Sequence, residues 1–499
     1  MNDNIRKAGY FFLAIFSVLV IYLGYLNAVV GPKLSTDPHN RRLAAAEEAV
    51  VRGAIYDRRG VVLAEDRMVD GVKRRVYPRG RETAHLLGFV SQRYGRTGLE
   101  SVFDSYLLAM DDAGKIQALV DRVLGRQRYG YNVVLTIDSD LQRQAVNLLG
   151  NRRGAVVALD PRSGAVLAMV SAPAFDPASV DSVVRTESGV RNGKKVELPV
   201  TGYDILKTQT GAAPLLNRAA RGIYPPGSTF KIITGAGALA ANPQNLGRIY
   251  DCKGSIAVEG FELKDTGVHG RINFNGALAV SCNTAFAGLG LELGEEGLKR
   301  AAKSFGFNFI DYDRSGRYKD SYPVVGGEIP FYPGTLPLNK MSGPEVASAA
   351  IGQGRVLVSP LQMALVASAV ANGGVVMKPA VLEKVVTRNG IVIKKMAPEI
   401  LYNAVSPEVA GMLAAAMEEA VKRGTGSQAS IAGVRVAGKT GSAQNPHGET
   451  HAWFIGFAPV ENPRIAVAVL VENAGAGAGA AAPVARELIK DYLKGVKAK

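Results

Sequence analysis

The segment "YPPGSTFKIITGAGAL", residues 224 to 239, contains a serine and a lysine whose spacing could support chemistry. Two prolines and Gly227 disfavour helix before Ser228, and the apolar run after it favours a buried helix. Lys231 would lie on the same helix face as Ser228. Burial and the positive end of a helix both disfavour a charged amine, so Lys231 could act as a base toward the Ser228 hydroxyl. The alternative is a serine that caps the helix and a lysine that reaches solvent.

Two further motifs favour the chemical interpretation. An S-x-N motif in "LAVSCNTAFAGL" contains Ser281 and Asn283, and a K-T-G motif after a β-like run contains Lys439, Thr440 and Gly441. S-x-x-K, S-x-N and K-T-G each occur once in the 499 residues, in that order. Together they are the motif set of serine acyl-transferases that react with penicillin. The sequence therefore predicts a nucleophilic serine site assembled from three distant segments.

The N-terminal segment predicts a membrane anchor. No charged residue lies between Ala8 and Pro32, which is long enough for a helix to cross a bilayer of about 30 Å. Arg6 and Lys7 precede it, so we expect a cytoplasmic tail at 1–7, an anchor at 8–30 and an extracytoplasmic remainder. A cleaved signal peptide is the alternative, but the apolar run is long for one and "LNA" is a poor cleavage site.

Composition limits the partners. The formal charge of +15 suits a protein beside anionic lipid or an anionic polymer. Its basic residues are scattered without the aromatic-basic signature of a nucleic-acid-binding module, so we expect no nucleic-acid partner.

The rest of the chain predicts two parts. Residues 31–135 have short, mixed segments, including a hairpin around the turn Asp57 to Gly60, and form a small β-rich pedestal. In residues 136–499, Asp138 or Ser139 can cap a helix, and β-like hairpins lie near both ends. Because those strands are apolar on both faces, they predict a sheet covered by helices on each side, an α+β arrangement. A long, mostly helical insert separates them, and the alanine- and glycine-rich residues 474–483 predict a flexible loop.

The chain resembles the class B penicillin-binding proteins, which are membrane-anchored peptidoglycan D,D-transpeptidases. The resemblance rests on the three motifs and on "RGAIYDRRGVVLAE", "NRAARGIYPPGSTFK", "HGRINFNGALAVSCNTAF", "AIGQGRVLVSPLQMA" and "HAWFIGFAP". In size the chain is similar to short, division-type members. The resemblance implies one transmembrane helix, then a pedestal, then a serine β-lactamase-like domain. That domain would have a central antiparallel sheet flanked by helices and a helical subdomain.

The resemblance also implies residue roles. Ser228 would attack the carbonyl of the penultimate D-Ala of a stem peptide, and Lys231 would take its proton. Ser281 and Lys439 would carry a proton to the leaving amine, and Asn283 would hold the peptide amide.

On the substrate side, the resemblance implies that the backbone N–H groups of Ser228 and Ser442 form the oxyanion hole. Thr440 and Ser442 would receive the terminal carboxylate beside Gly441.

The implied partners are peptidoglycan stem peptides, their lipid-linked precursor, β-lactam inhibitors and a polytopic membrane glycan polymerase. Two alternatives remain. The same site could use water, as in a carboxypeptidase or a penicillin-hydrolysing enzyme, or the chain could be a scaffold that regulates the polymerase.

The two cysteines lie near the S-x-N motif with an aspartate and a histidine between them. Cys252, Asp265, His269 and Cys282 offer four zinc ligands, although their spacing is irregular. Some elongation-type members of the family carry a metal in this stretch. The sequence favours two free buried thiols, and a zinc site and a disulfide are the alternatives. The predicted acyl transfer itself requires no cofactor.

Overall fold

The structure is a computed structural model that describes residues 2–26, 50–191, 194–308, 328–446 and 448–497. Its contacts divide the chain into two units. One comprises Met1–Gly53 with Ser105–Tyr131, and the other comprises Ala54–Asp104 with Asn132–Lys499. Residues 27–30 of the predicted anchor and residues 31–49 of the predicted pedestal lie outside the described residues.

The first unit contains the predicted anchor. A helix spans Asn2–Tyr25, and its stretch Arg6–Tyr25 has a mean hydropathy of 2.0, long and apolar enough to cross a membrane. The strands Val50–Val51 and Arg128–Tyr129 pair in parallel. Between them in sequence lies the helix Asp112–Val123, whose N-terminus is capped by Asp111.

The second unit contains a six-stranded mixed sheet. Its strands, in spatial order, are Val392–Lys395, Leu382–Val386, Asn132–Leu135, Ile55–Tyr56, Val62–Val69 and Val72–Val76. The predicted hairpin at Asp57 to Gly60 is confirmed, since the strands on either side of it pair antiparallel. Strands from residues 382–395 complete this sheet. The sequence did not predict that these strands would join it. The boundary at 135/136 stays a prediction.

A five-stranded antiparallel sheet forms the core of the second unit. Its spatial order is Val166–Ala172, Gly154–Leu159, Ile465–Val471, His451–Ala458 and Ala437–Ala443. Every residue of the strand Ile465–Val471 is buried, so the sheet is covered on both faces as predicted. The helices that pack on it include Ser139–Leu149, Pro360–Ala371, Pro407–Arg423 and Ala482–Lys497. Asp138 caps the first of these, as the sequence predicted.

The insert between the two ends of this sheet is largely helical, as predicted. Its helices are Gly202–Thr208, Arg218–Arg221, Lys231–Ala241, Phe274–Ala279, Asn283–Ser304, Gly343–Ala350, Pro360–Ala371 and Pro407–Arg423. In the described part of the insert, four small two-stranded sheets accompany them: Val183–Arg191 with Lys194–Thr201, Tyr250–Cys252 with Gly270–Ile272, Ser255–Val258 with Phe261–Lys264, and Val375–Met377 with Ile400–Asn403.

The remaining elements are short. They are the helices Ala84–Leu87, Gly98–Val102 and Asp104–Leu107, the strands Val90–Ser91 and Gly95–Arg96, and the 3₁₀ turns Gly80–Glu82, Pro177–Ser179, Gly227–Phe230, Pro243–Leu246 and Ser427–Ala429.

The prediction of a flexible loop at residues 474–483 is wrong. The segment forms a helical turn, Gly477–Ala480, and leads into the C-terminal helix. A Cβ on Gly477 would lie 2.3 Å from the Trp453 carbonyl oxygen and 2.4 Å from that of Gly441. The small residues therefore permit close packing against the strand that carries the K-T-G motif.

We expect Gly477→Ala to lower the free energy of unfolding by about 1–3 kcal/mol, because the added methyl collides with backbone that cannot rotate away. The matched control is Gly479→Ala in the same turn. No atom lies within 4 Å of its added Cβ, and alanine is the better helix former, so this variant should be neutral or slightly more stable. Thermal unfolding of the two variants tests this, and equal unfolding temperatures would contradict it.

Candidate active site

Ser228 lies in a 3₁₀ turn directly before a buried helix. The turn spans Gly227–Phe230, and the helix Lys231–Ala241 follows without a break. Neither Pro226 nor Phe230, at the two cap positions, makes a side-chain cap hydrogen bond. The alternative in which Ser228 caps the helix is therefore wrong. Among the described residues, none forms a hydrogen bond with its half-buried hydroxyl.

Contacts from three other segments fix this turn. The Gly227 N–H donates to the Gly352 carbonyl at 2.9 Å, and Trp453 Nε1 donates to the Pro225 carbonyl at 3.0 Å. Gly227 has a φ of +53°, and a Cβ there would lie 2.7 Å from the Ser442 carbonyl oxygen. The turn with the nucleophile candidate thus packs directly against the strand of the K-T-G motif.

Lys231 joins the S-x-x-K motif to the S-x-N motif. Its ammonium Nζ is fully buried and donates to the Ser281 carbonyl at 2.5 Å, to Ser281 Oγ at 3.2 Å and to Asn283 Oδ1 at 2.7 Å. Burial lowers the pKa of Lys231 to about 7, against the weaker opposing effect of Asp265. A lysine in this environment can be a neutral base near physiological pH.

Ser281 has a strained backbone. It lies between the helices Phe274–Ala279 and Asn283–Ser304, and its φ is +63°, a left-handed value that is uncommon for a residue other than glycine. Strain of this kind persists only where the surrounding structure imposes it. Here the strained conformation places both the carbonyl and the hydroxyl of Ser281 within hydrogen-bonding distance of Lys231.

The K-T-G motif lies on the edge strand Ala437–Ala443 of the central sheet. Lys439 is fully buried and donates to the Thr440 carbonyl at 2.9 Å. Burial holds the pKa of Lys439 well below its ordinary value, and the neighbouring Lys231 adds to the shift. Thr440 Oγ1 bonds Thr425 Oγ1 at 2.7 Å, whereas the Ser442 side chain is exposed.

The sequence analysis missed a buried polar network behind the Ser228 turn. Glu472 accepts hydrogen bonds from Tyr224 Oη and Arg218 Nε, both at 2.7 Å. Burial opposes ionisation, but these bonds outweigh it and hold the pKa of Glu472 below its ordinary value. The available signal was an acidic residue at the end of the fully apolar run "AVAVLV". The network ties the segment before Ser228 to the end of the central sheet.

The four candidate metal ligands converge. One ligand atom from each of Cys252, Asp265, His269 and Cys282 lies within 4.8 Å of all the others. Cys252 Sγ is 3.2 Å from Asp265 Oδ2, 3.2 Å from His269 Nδ1 and 2.7 Å from Cys282 Sγ. Both cysteines are buried and free of a disulfide. Asp265 Oδ2 also accepts the backbone N–H of Asn283 at 2.7 Å, so the cluster touches the S-x-N motif directly.

Comparison with known proteins agrees with this geometry. The model of the "Penicillin binding protein transpeptidase domain" family matches residues 154–490. The chain belongs to this family. The model of the penicillin-binding protein A dimerisation domain matches residues 52–133.

Relatives of this penicillin-binding protein align over almost its full length. It is 34% identical to the peptidoglycan D,D-transpeptidase PbpA of Mycolicibacterium smegmatis, over 99% of both chains. It is 33% identical to PbpA of Mycobacterium tuberculosis, over 99% of this chain and 100% of the relative. The solved imipenem acyl-enzyme complex of penicillin-binding protein A from M. tuberculosis superposes with a TM-score of 0.75 and 32% identity, covering 90% of this chain and 100% of that one. The predicted family and α+β transpeptidase fold are confirmed.

We expect the rate of acylation by a penicillin to rise as pH increases through about 7 and then to level off. The reason is that the lowered pKa of Lys231 makes its amine neutral, and able to accept a proton, only above that value. Stopped-flow acylation across the neutral range, with unfolding monitored in parallel, measures the profile. A rate that is flat through neutral pH would exclude Lys231 as the titrating base.

Proposed function

We propose that this protein is a membrane-anchored peptidoglycan D,D-transpeptidase that cross-links stem peptides through an acyl-enzyme on Ser228. The observation that carries the proposal is the meeting of the three motifs. Lys231 bonds both residues of the S-x-N motif, and the Ser228 turn packs against the K-T-G strand. The names of the mycobacterial relatives support the same activity.

In the acylation step, Ser228 Oγ attacks the carbonyl carbon of the penultimate D-Ala, and its proton passes to neutral Lys231. The tetrahedral oxyanion accepts hydrogen bonds from the backbone N–H groups of Ser228 and Ser442. Each such donor contributes about 2.7–4 kcal/mol in acyl-transferases. The negative charge therefore develops where the turn and the K-T-G strand pack together.

Collapse of the intermediate breaks the bond to the terminal D-Ala. Ser281, bonded to Lys231, and Lys439 carry a proton to the leaving amine, while Asn283 holds the peptide amide. Thr440 and Ser442, on either side of Gly441, receive the substrate carboxylate. The amine of a neighbouring stem peptide then attacks the acyl-enzyme and releases Ser228.

We expect a fluorescent penicillin to label the wild-type protein covalently and Ser228→Ala not at all, because the ester needs the Ser228 oxygen. Lys231→Ala should slow labelling by about 10²–10⁴-fold, the usual contribution of a general base. Ser255→Ala, on an exposed strand, is the matched control and should label normally. Labelling can be measured on gels of membranes that contain the full-length protein.

An unlabelled wild type would refute the enzymatic proposal and favour the scaffold. A label lost by hydrolysis within minutes would favour the penicillin-hydrolysing alternative. With a stem-peptide donor, release of D-Ala without transfer to an added amine would favour a carboxypeptidase.

We also propose that Cys252, Asp265, His269 and Cys282 hold a structural zinc ion. Two sulfurs, one imidazole nitrogen and one carboxylate oxygen suit its tetrahedral coordination, and in the structure they already converge. Bound zinc would cross-link the small strands Tyr250–Cys252 and Gly270–Ile272 to the start of the helix Asn283–Ser304.

We expect the protein purified without chelator to contain about one zinc per chain by elemental mass spectrometry. His269→Ala should lose the metal and unfold at lower temperature, because folded-state metal binding stabilises the fold. Asp251→Ala, an exposed neighbour of Cys252, should keep it. Metal-free wild-type protein with two reactive thiols would support the free-thiol alternative. Metal-free wild-type protein whose mass is lower by two hydrogens would support a disulfide.

We propose further that the N-terminus is cytoplasmic, that residues 31–135 form the pedestal and 136–499 the catalytic domain, and that the partner is a polytopic membrane glycan polymerase. Arg6 and Lys7 at the start of the apolar helix support this orientation. Full-length protein should co-purify with such a polymerase, and deletion of residues 1–135 should abolish the association. Unchanged recovery after the deletion would contradict the pedestal's role.

A further inference from the structure

The helix Asp112–Val123 and the residue after it carry five aliphatic side chains that are exposed along one face. They follow the i, i+3, i+4, i+7, i+8 pattern of an apolar helix face. Their exposed fractions are 69% for Ile116, 62% for Leu119, 42% for Val120, 78% for Val123 and 53% for Leu124. We call these five residues the stripe. In a soluble domain such a face normally packs on the core, so its exposure needs an explanation.

The stripe points away from the unit that contains it. Gly114 is the buried residue of this helix, and a Cβ there would lie 2.2 Å from the Ala109 carbonyl oxygen. Val123 lies nine residues further on, which is about 180° around the helix. The glycine side of the helix therefore packs on the loop that precedes it, and the stripe lies on the opposite side.

The chain around the stripe leads to the membrane anchor. The strand Arg128–Tyr129, shortly after Leu124, pairs in parallel with Val50–Val51. Val50 is the first described residue after the anchor helix, and both segments belong to the same compact unit. The stripe thus belongs to the part of the chain that is joined to the anchor.

The charges around the stripe suit an anionic lipid surface. Lys115 and Arg122 lie along one border of the stripe, and Arg126 and Arg128 follow it. Of the acidic residues, Asp111 caps the helix by accepting the Gly114 N–H at 3.0 Å, and Asp112 pairs with Lys115 at 2.9 Å. Asp121 lies on the Gly114 side, about 20° from that residue around the helix. Basic residues beside an exposed aliphatic face are typical of helices that lie in a lipid interface.

The composition of the stripe does not suit a protein partner. Protein interfaces concentrate their energy in Trp, Tyr and Arg, whereas the stripe contains only Ile, Leu and Val. A standard interface also buries about 800 Å² per partner, more than one face of a three-turn helix offers. The same limits apply to a second copy of this chain.

We propose that the stripe lies in the headgroup region of the anionic membrane leaflet that faces the catalytic domain, so that the pedestal is attached to the membrane at two points. This goes beyond the proposed enzymatic function and depends on the anchor alone. A second attachment restricts the tilt of the pedestal relative to the membrane surface, which a single helix and a linker do not.

The test uses full-length protein in vesicles of phosphatidylglycerol and phosphatidylethanolamine that contain spin-labelled lipid. An environment-sensitive dye is placed on Leu119→Cys or Val123→Cys. The matched control is Gln117→Cys, an exposed position of the same helix about 120° from Val123. Cys252 and Cys282 are buried, and labelled wild-type protein gives their background. We expect several-fold stronger quenching at 119 and 123 than at 117, and weaker quenching in neutral phosphatidylcholine.

Equal quenching at all three positions would overturn the proposal. A shift in dye emission that increases with protein density and occurs without lipid quenching would also overturn the proposal. That result would indicate a protein partner. The double variant L119E/V123E, labelled at Ile116→Cys, should lose quenching yet react with fluorescent penicillin like wild type. Because the penicillin reaction reports the Ser228 site separately, its failure in the wild type would count against the proposed enzyme and leave the quenching result to decide the membrane contact.

Discussion

The site depends on one buried amine. Lys231 is excluded from water, and an isolated ammonium in that environment would cost several kcal/mol. The structure offsets this cost with three hydrogen bonds to Ser281 and Asn283 and with a pKa that permits the neutral form. Both residues of the S-x-N motif present a group to this amine. The strained Ser281 is the clearest case, because an unstrained backbone would turn its oxygens elsewhere.

The second constraint is that one short segment, Ser281 to Asn283, contributes both to the proposed metal cluster and to the hydrogen bonds around Lys231. Cys282 lies between Ser281 and Asn283, so consecutive residues face the proposed metal cluster and the buried lysine. Asp265 accepts the N–H groups of Asn283 and Thr284 and thereby caps the long helix that begins there. Movement of the ligands would therefore move the groups that bond Lys231. A metal cluster that takes no part in the chemistry can still set the geometry of the active site.

Local features were predictable from the sequence. The three motifs, the turn at Asp57, the Asp138 cap and the apolar strands each depend on neighbouring residues, so their patterns are visible in a short window. Glu472 was missed because its partners Tyr224 and Arg218 lie far away in sequence. The loop predicted at residues 474–483 was wrong for a related reason: small residues indicate flexibility in isolation, but close packing when another strand lies against them. The helix that carries the exposed stripe was not predicted either, because the sequence analysis interpreted residues 31–135 only as short, mixed segments.

The order of strands in the central sheet has a consequence for how the protein is made. Gly154–Leu159 pairs with Val166–Ala172 on one side and with Ile465–Val471 on the other. The second pairing closes a loop of about three hundred residues, and such non-local contacts form slowly. With the proposed orientation, the N-terminus stays in the cytoplasm and the residues after the anchor cross the membrane in the order of the sequence. This core therefore cannot be completed until nearly the whole polypeptide has been exported. Until then the early strands have an unpaired edge in the extracytoplasmic space, where a chaperone or the membrane surface must keep them from aggregating.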